Sequence, residues 1–479
     1  MSFVREAGMN RRDLARIVCG GAFSPPLSSQ TRPARIAARG AAEPVGYIKA
    51  AFTYPPTARL REEGYYSWPG SGFDAEGRQK QYSAEAARMA AELNLRLDVE
   101  PVPLDSKEDA GRFLKAVEAS RPDGLLLIPL KKSHIENVLL IADQTGLPTI
   151  VFTSVGVLLN QQLREAAARP KLHLIHSFEN LAALREAMKF IQARRRMAES
   201  TILNLSGEAR RESRVPHFNT RIQQVPLTDF YELFARTGRS DEISERAQRY
   251  LREAVRLVEP TEQDAYEAAK CYAVLKEIIR HERADAVMMN CLPGLRHPRK
   301  HVPPCMGFMD LRDEGIPAGC QADLDATLTL MLVEYLFDRP AFQHNPSADT
   351  ASKLYFGAHC TSPCRMQGPE GRREPYALRS HAEAGWGCVP QVLFSTGQKV
   401  TIANYQSRLQ RPEMVIYSGV IVGCPASPPA GGCRTNVQIR LDQDVDPIQL
   451  KGEHLSMWYG DHAAQLRAFC RLHDITATV

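Results

Sequence analysis

The sequence contains no apolar run approaching the roughly 20 residues that a helix needs to cross a bilayer, which argues against an integral helical membrane protein. It also has no GxGxxG and no P-loop, so its motifs give no support to a nucleotide cofactor. A CxxC pair of the kind that builds a structural zinc ribbon is missing too, and eleven cysteines in 479 residues are too thinly spread for a disulfide scaffold. Charge of one sign is equally scarce. The 60 Lys and Arg are interleaved with 55 Asp and Glu, leaving a formal net charge of +5, so nucleic acid is not indicated as a partner. The runs Arg194-Arg195-Arg196 and Arg210-Arg211 read as solvated faces or loops.

What is present is ordinary for a globular chain: 44% hydrophobic and 24% charged residues, over a length that divides into two or three domains. The N-terminus departs from this pattern. Met9 opens MNRRDLARIVCGGAF, a paired arginine before a short apolar stretch interrupted by Arg16, followed by a Pro/Ser/Arg/Ala-rich region up to about Glu43. It reads either as a twin-arginine export signal or as a basic tail on a cytoplasmic enzyme. Among the cysteines, Cys360 and Cys364 sit close together in HCTSPC, and Cys424 and Cys433 flank a Pro/Gly turn that a disulfide would fit if the protein is exported. Buried, reduced thiols are the expectation for most of them.

From Val45 to about Arg196, β-rich runs such as GLLLIPL and TIVFTSV alternate with amphipathic stretches such as SKEDAGRFLKAVEA, a pattern that predicts a parallel sheet wrapped by helices. A second round runs from STILNLSG to ADLDATLTLMLVEYLF. After Asp338, runs such as KLYFGAHC, MVIYSGVIVG and RTNVQIRLD alternate apolar with polar residues between Gly, Pro and Ser turns, as an antiparallel sheet or barrel does. The expected fold is α/β: two Rossmann-like doubly wound domains over 44–196 and 197–338, then an antiparallel β-barrel-like domain over 339–479, preceded by the 1–43 tail or signal.

Candidate chemistry gathers at the junctions between these regions. NCLPGL ends an expected strand, CQAD marks a strand-to-helix transition, and FQHN, AHC, HAEAGWG and GEH bring histidine, acid and amide groups from separate elements. Together such groups can bind a divalent metal and sugar hydroxyls. Taken singly, a histidine at a strand end is more often structural, and an acid at a helix start more often a cap. On a strand, His381 and Glu383 of HAEAGWG would share one face, so that the carboxylate raises the basicity of the imidazole.

The order of these segments is informative. DEGIPAGCQADLDATLTLMLVEYLF, then FQHNPS, FGAHCTSP, HAEAGWG, GGCRTNVQIRL and EHLSMWYGDHAAQLRAF together resemble the C-terminal half of L-fucose isomerase-like proteins, relatives of L-arabinose isomerase. The resemblance is specific from about Asp285 onward. It implies the three-part architecture above, a divalent metal, usually manganese, homo-oligomeric assembly, and interconversion of an unphosphorylated aldose and ketose through an ene-diol. Two acids and a histidine hold the metal in such proteins, and the acids also move the proton.

Aligned by motif, the two acids fall on Gln321 and Asn345, which are amides. His359 matches a metal-binding histidine of the arabinose branch, His454 the late histidine of the site, and Asp323 an acid that follows the first ligand. The resemblance thus implies a metal set of Gln321, Asn345, His359 and His454, catalytic positions at Gln321 and Asn345, and Asp323, His381 and Glu383 against the sugar, with His381 and Glu383 able to take over proton transfer. A neutral amide offers an oxygen to a hard cation but brings no charge and cannot act as a base near pH 7. Beside the isomerase stand a divergent hydrolase or lyase and a non-catalytic sugar-binding protein.

Overall fold

Five apolar runs in the first part of the chain become one parallel sheet: β1 (Tyr47–Thr53), β2 (Arg96–Val99), β3 (Gly124–Pro129), β4 (Thr149–Ser154) and β5 (Leu172–Ser177). The computed structural model describes residues 44–63, 70, 72–426 and 432–479, so the twin-arginine-like segment lies outside the described residues. The strand order is β2-β1-β3-β4-β5, and every pairing is parallel. β3 and β4 are buried along their whole length, which is why their sequences are continuous apolar runs rather than alternating ones. The connecting helices begin where the sequence offers caps. The Asp74 side chain accepts from the Gly77 N–H at 2.8 Å to start the helix Ala75–Glu92, and Ser106 with Asp109 forms a capping box for Lys107–Ser120.

The second sheet is mixed. It contains β6 (Thr201–Leu205), β7 (Arg211–Arg214) and β8 (Arg221–Val225), and, beyond the short β9 (Arg256–Leu257), β10 (Ala286–Met289) and β11 (Ala318–Cys320). Its order is β11-β10-β6-β8-β7, parallel except for the β7–β8 hairpin. β7, with the sequence RESR, is exposed throughout, and its charges suit an edge that must not recruit another strand.

From residue 342 onward strands predominate: β12 (Phe342–Asp349), β13 (Leu354–His359), β14 (Tyr376–Arg379), β15 (Val389–Val392), β16 (Lys399–Gln406), β17 (Glu413–Gly423), β18 (Thr435–Leu441), β19 (Leu455–Tyr459) and β20 (Thr476–Thr478). Antiparallel pairing runs β16-β19-β12-β13-β18-β17 and returns from β17 to β16, so these six strands close on themselves, with β20 added in parallel on β17. Phe342, Tyr355, Ile402, Val437, Leu455 and Met457 from these strands belong to one apolar cluster. β9 joins β14 and β15 in a small sheet, tying the middle of the chain to its C-terminal part.

The helix Leu324–Phe337 is apolar on all sides, as a helix buried on every face must be. It packs against β10, β11, β16 and β19 at once, so its N-terminus is delivered to the place where the second sheet meets the antiparallel strands. All described residues fall within one compact unit. Among them no helix is long and apolar enough to cross a membrane.

Candidate functional site

Asp323 is the N-cap of the helix Leu324–Phe337: its Oδ1 accepts from the Ala326 N–H at 2.9 Å. The chain reaches it through Gln321 (φ +57°) and Ala322 (φ +53°), two consecutive non-glycine residues in the left-handed region, each costing about 1 kcal/mol or more. The second carboxylate oxygen of Asp323 is thereby aimed at His454, whose Nδ1 lies 2.7 Å away. Burial pushes the Asp323 carboxyl up, but the hydrogen bonds from His454 and the Ala326 backbone outweigh it and hold it below its ordinary value. Because an ionised carboxylate only accepts, Nδ1 of His454 carries the hydrogen of this bond and Nε2 points away from it. Asp323 therefore serves both as a cap and as a partner of the site.

His454 faces His359, with ring centroids 5.5 Å apart and planes at 62°. Both residues are buried, at 6% and 3% exposure, and among the described residues neither nitrogen of His359 nor Nε2 of His454 has a hydrogen-bonding partner. A buried polar atom left in this state costs about 1–3 kcal/mol. Burial, then the neighbouring His454 and Arg312, push the His359 imidazole well below its ordinary range, so it is neutral with a lone pair available.

Two neighbours on β12 were not singled out from the sequence, although FQHN contains both. Gln343, fully buried, accepts the Cys320 N–H at 2.9 Å and donates to the Cys320 carbonyl at 3.2 Å, clamping the end of β11 to β12. Arg312 also reaches Gln343 Oε1, at 3.2 Å. His344 lies beside His359 across the β12–β13 ladder, but its nitrogens are taken by the Phe342 carbonyl and the Tyr355 hydroxyl, so it has no lone pair to offer. No signal in the sequence separated His344 from its neighbour Asn345.

The structure brings together His359, His454 and Asp323. Gln321 is exposed in the turn after β11, and Asn345 is exposed on β12, paired in register with Ala358. The expected strand through HAEAGWG is not formed. β14 ends at Arg379, and residues 382–384 turn, with the Gly385 N–H donating to the His381 carbonyl at 2.8 Å and the Ala384 N–H to His381 Nδ1 at 3.2 Å. Gly385 and Gly387 take φ values of +73° and +76°, which a continuing strand does not tolerate. His381 is consequently buried, Glu383 is exposed, and no ion pair joins them.

The described cysteines are free thiols. Cys424 donates to the Phe394 carbonyl at 3.5 Å rather than bridging to Cys433, and Cys364 donates to Asp313 Oδ2 at 2.8 Å. Cys433 hydrogen-bonds Cys360; that bond, with the His381 ring behind it, pulls the Cys360 thiol down to about 6 against the effect of burial. Among the described residues, no group of three or more His, Cys, Asp or Glu side chains is arranged to hold a metal ion. The two imidazoles could supply such an ion with two nitrogen ligands, and any third would have to be an amide, a backbone oxygen, water or substrate.

No family model matches the chain, and no curated protein matches its sequence.

Proposed function

We propose that this protein acts on a carbohydrate as an aldose–ketose isomerase of the L-fucose/L-arabinose isomerase type, with a weakly held divalent cation, manganese in the first place, at His359 and His454. The observation that carries this reading is the pair of facing, buried imidazoles with three unpartnered ring nitrogens, one ring backed by a carboxylate. A carboxylate behind a histidine is the usual support of a metal-ligating ring, because it fixes the tautomer and raises the basicity of the outer nitrogen. Gln321 and Asn345 would add amide oxygens from the rim. A bound cation of this kind would polarise the carbonyl and hydroxyl oxygens of an open-chain sugar.

In the same reading the two α/β sheets are Rossmann-like doubly wound layers, the closed antiparallel strands form a barrel, and the chain assembles as a homo-oligomer. Gln321 and Asn345 would orient sugar hydroxyls, since an amide neither takes nor gives a proton near pH 7. That neutrality also favours a second reading, sugar binding without turnover. The exposed Glu383 and buried His381, which do not pair, give no such support to a hydrolase or lyase built on them.

The test is metal analysis of the protein as purified, beside the double variant Gln321→Glu/Asn345→Asp. Two restored carboxylates should raise manganese affinity by about tenfold or more, and aldose–ketose interconversion should appear or increase. If neither protein binds manganese and neither interconverts any sugar, the isomerase reading fails.

A further inference from the structure

The segment after β10 carries Arg296, His297, Arg299 and Lys300 within five residues that include no acid, and all four are exposed. Elsewhere on the surface, arginines face carboxylates: Arg210 meets Asp229 and Glu282, Arg195 meets Glu199, and Arg379 meets Glu259. Among the described residues no carboxylate pairs with any of these four side chains, although Glu383 stands in the neighbouring turn.

The loop is also held in place. The Lys300 N–H donates to the Gly294 carbonyl at 2.9 Å and closes it, and the Arg299 guanidinium lies 4.0 Å from the centre of the Trp386 ring. The loop's far end packs directly on the same turn, since a Cβ at Gly387 would come within 2.6 Å of Pro303. That turn begins at His381, and its Ala382 packs against the buried cluster of Cys305, Cys360 and Val389, next to His359. At the loop's root, Cys291 Sγ lies 3.8 Å from Cys320 Sγ and the Ala322 N–H donates to the Met289 carbonyl at 3.0 Å. The unpaired cations and the Asp323–His454–His359 group thus lie beyond the carboxyl ends of the adjacent parallel strands β10 and β11, where α/β sheets receive ligands.

We propose that this basic loop takes the oxyanion of an acidic sugar, a carboxylate or a phosphate, whose hydroxylated end reaches His359 and His454. The proposal rests on the carbohydrate reading above and narrows its substrate class from neutral to anionic sugars. Guanidinium groups are suited to it, because their planar fork meets carboxylate and phosphate oxygens two at a time, and a preplaced fork loses less freedom on binding.

The experiment is calorimetric titration of the full-length protein with galactose, galacturonate and galactose 6-phosphate, repeated on Arg296→Gln/Arg299→Gln/Lys300→Gln and on the milder Lys300→Gln. The charged probes should bind the parent protein about tenfold or more tighter than galactose, with the preference eroding in about 0.5 M sodium chloride. In the triple variant it should shrink to about twofold, and in Lys300→Gln to an intermediate value. Tighter binding of galacturonate than of the phosphate identifies a carboxylate, and the reverse a phosphate. Equal binding of neutral and charged probes by the parent, survival of the preference in the triple variant, or inorganic phosphate binding as tightly as the sugar phosphate would each overturn the proposal. A preserved charge preference with no manganese dependence and no isomerisation would sink the isomerase reading alone.

Discussion

Around Asp310, the side chains of Arg246, Arg249 and Tyr250 converge on one carboxylate oxygen, with Arg249 at 2.5 Å and Tyr250 at 2.8 Å. Around His454, two imidazoles face each other and leave three nitrogens unpartnered. Asp310 and Tyr250 are buried, as are His359 and His454, while Arg246 and Arg249 are half-buried; burial penalises an unpaired polar atom in either place. The first cluster satisfies its buried carboxylate with three internal bonds and leaves only the Arg249 Nε donor without a partner. The second compensates only on the Asp323 side, which leaves it open to whatever supplies an electron-pair acceptor or a proton. A buried charge that is paired reads as architecture, and two facing buried rings whose free nitrogens share one space read as a binding site.

The sharpest way to break this comparison is to unpair the first cluster. Asp310→Asn strands two guanidinium groups and should cost about 3–5 kcal/mol of stability, measured by denaturant unfolding. A loss below about 1 kcal/mol would mean that solvent already screens the cluster and that the contrast is false.

A second comparison sets these groups against His473, which is buried but partnered through Nε2 to the Phe190 carbonyl at 3.1 Å. Burial first, and then the Arg194 guanidinium, push its pKa down to about 3. The unfolded chain takes a proton near pH 6.5 that the folded one refuses. The contribution of His473 is therefore whole above about pH 6.5 and is lost as pH falls toward 3, by about 2–4 kcal/mol. In His473→Gln, which keeps a donor but does not titrate, stability should fall less between pH 6.5 and 4. Parallel curves for the two proteins would contradict this.

The smallest effect is the most telling in sign. His359→Leu removes two unpartnered nitrogens, so in metal-free protein it should leave stability unchanged or raise it by about 1–2 kcal/mol. Destabilisation comparable to that of Asp310→Asn would show that His359 has a structural partner after all.

Much of the fold was legible because its periodicities are clean. GLLLIP and TIVFTS read directly as buried strands, and SKEDAGRFLKAVEA as the helix that Ser106 caps. What escaped was polar. β7 is RESR, with no apolar alternation to betray a strand, and HAEAGWG alternates like a strand but carries two glycines in left-handed conformations. The site was half legible. His359, His454 and Asp323 each stand out in their motifs, but His454 meets Asp323 across 131 positions of sequence, a contact that no local pattern encodes. Attention fell on Asn345 because of the resemblance, whereas the side chains that build the interior are its neighbours Gln343 and His344, whose burial depends on which face of β12 meets β13 and β11.

The most direct test of the central claim is the melting temperature of the full-length protein with and without manganese, for the parent and for His359→Leu. A ligand at about one hundred times its dissociation constant adds about 2.7 kcal/mol, so the parent should melt several degrees higher with manganese while His359→Leu should not move. An equal shift in both proteins would place any metal elsewhere, no shift in either would remove the cation from this site, and both results would contradict the account.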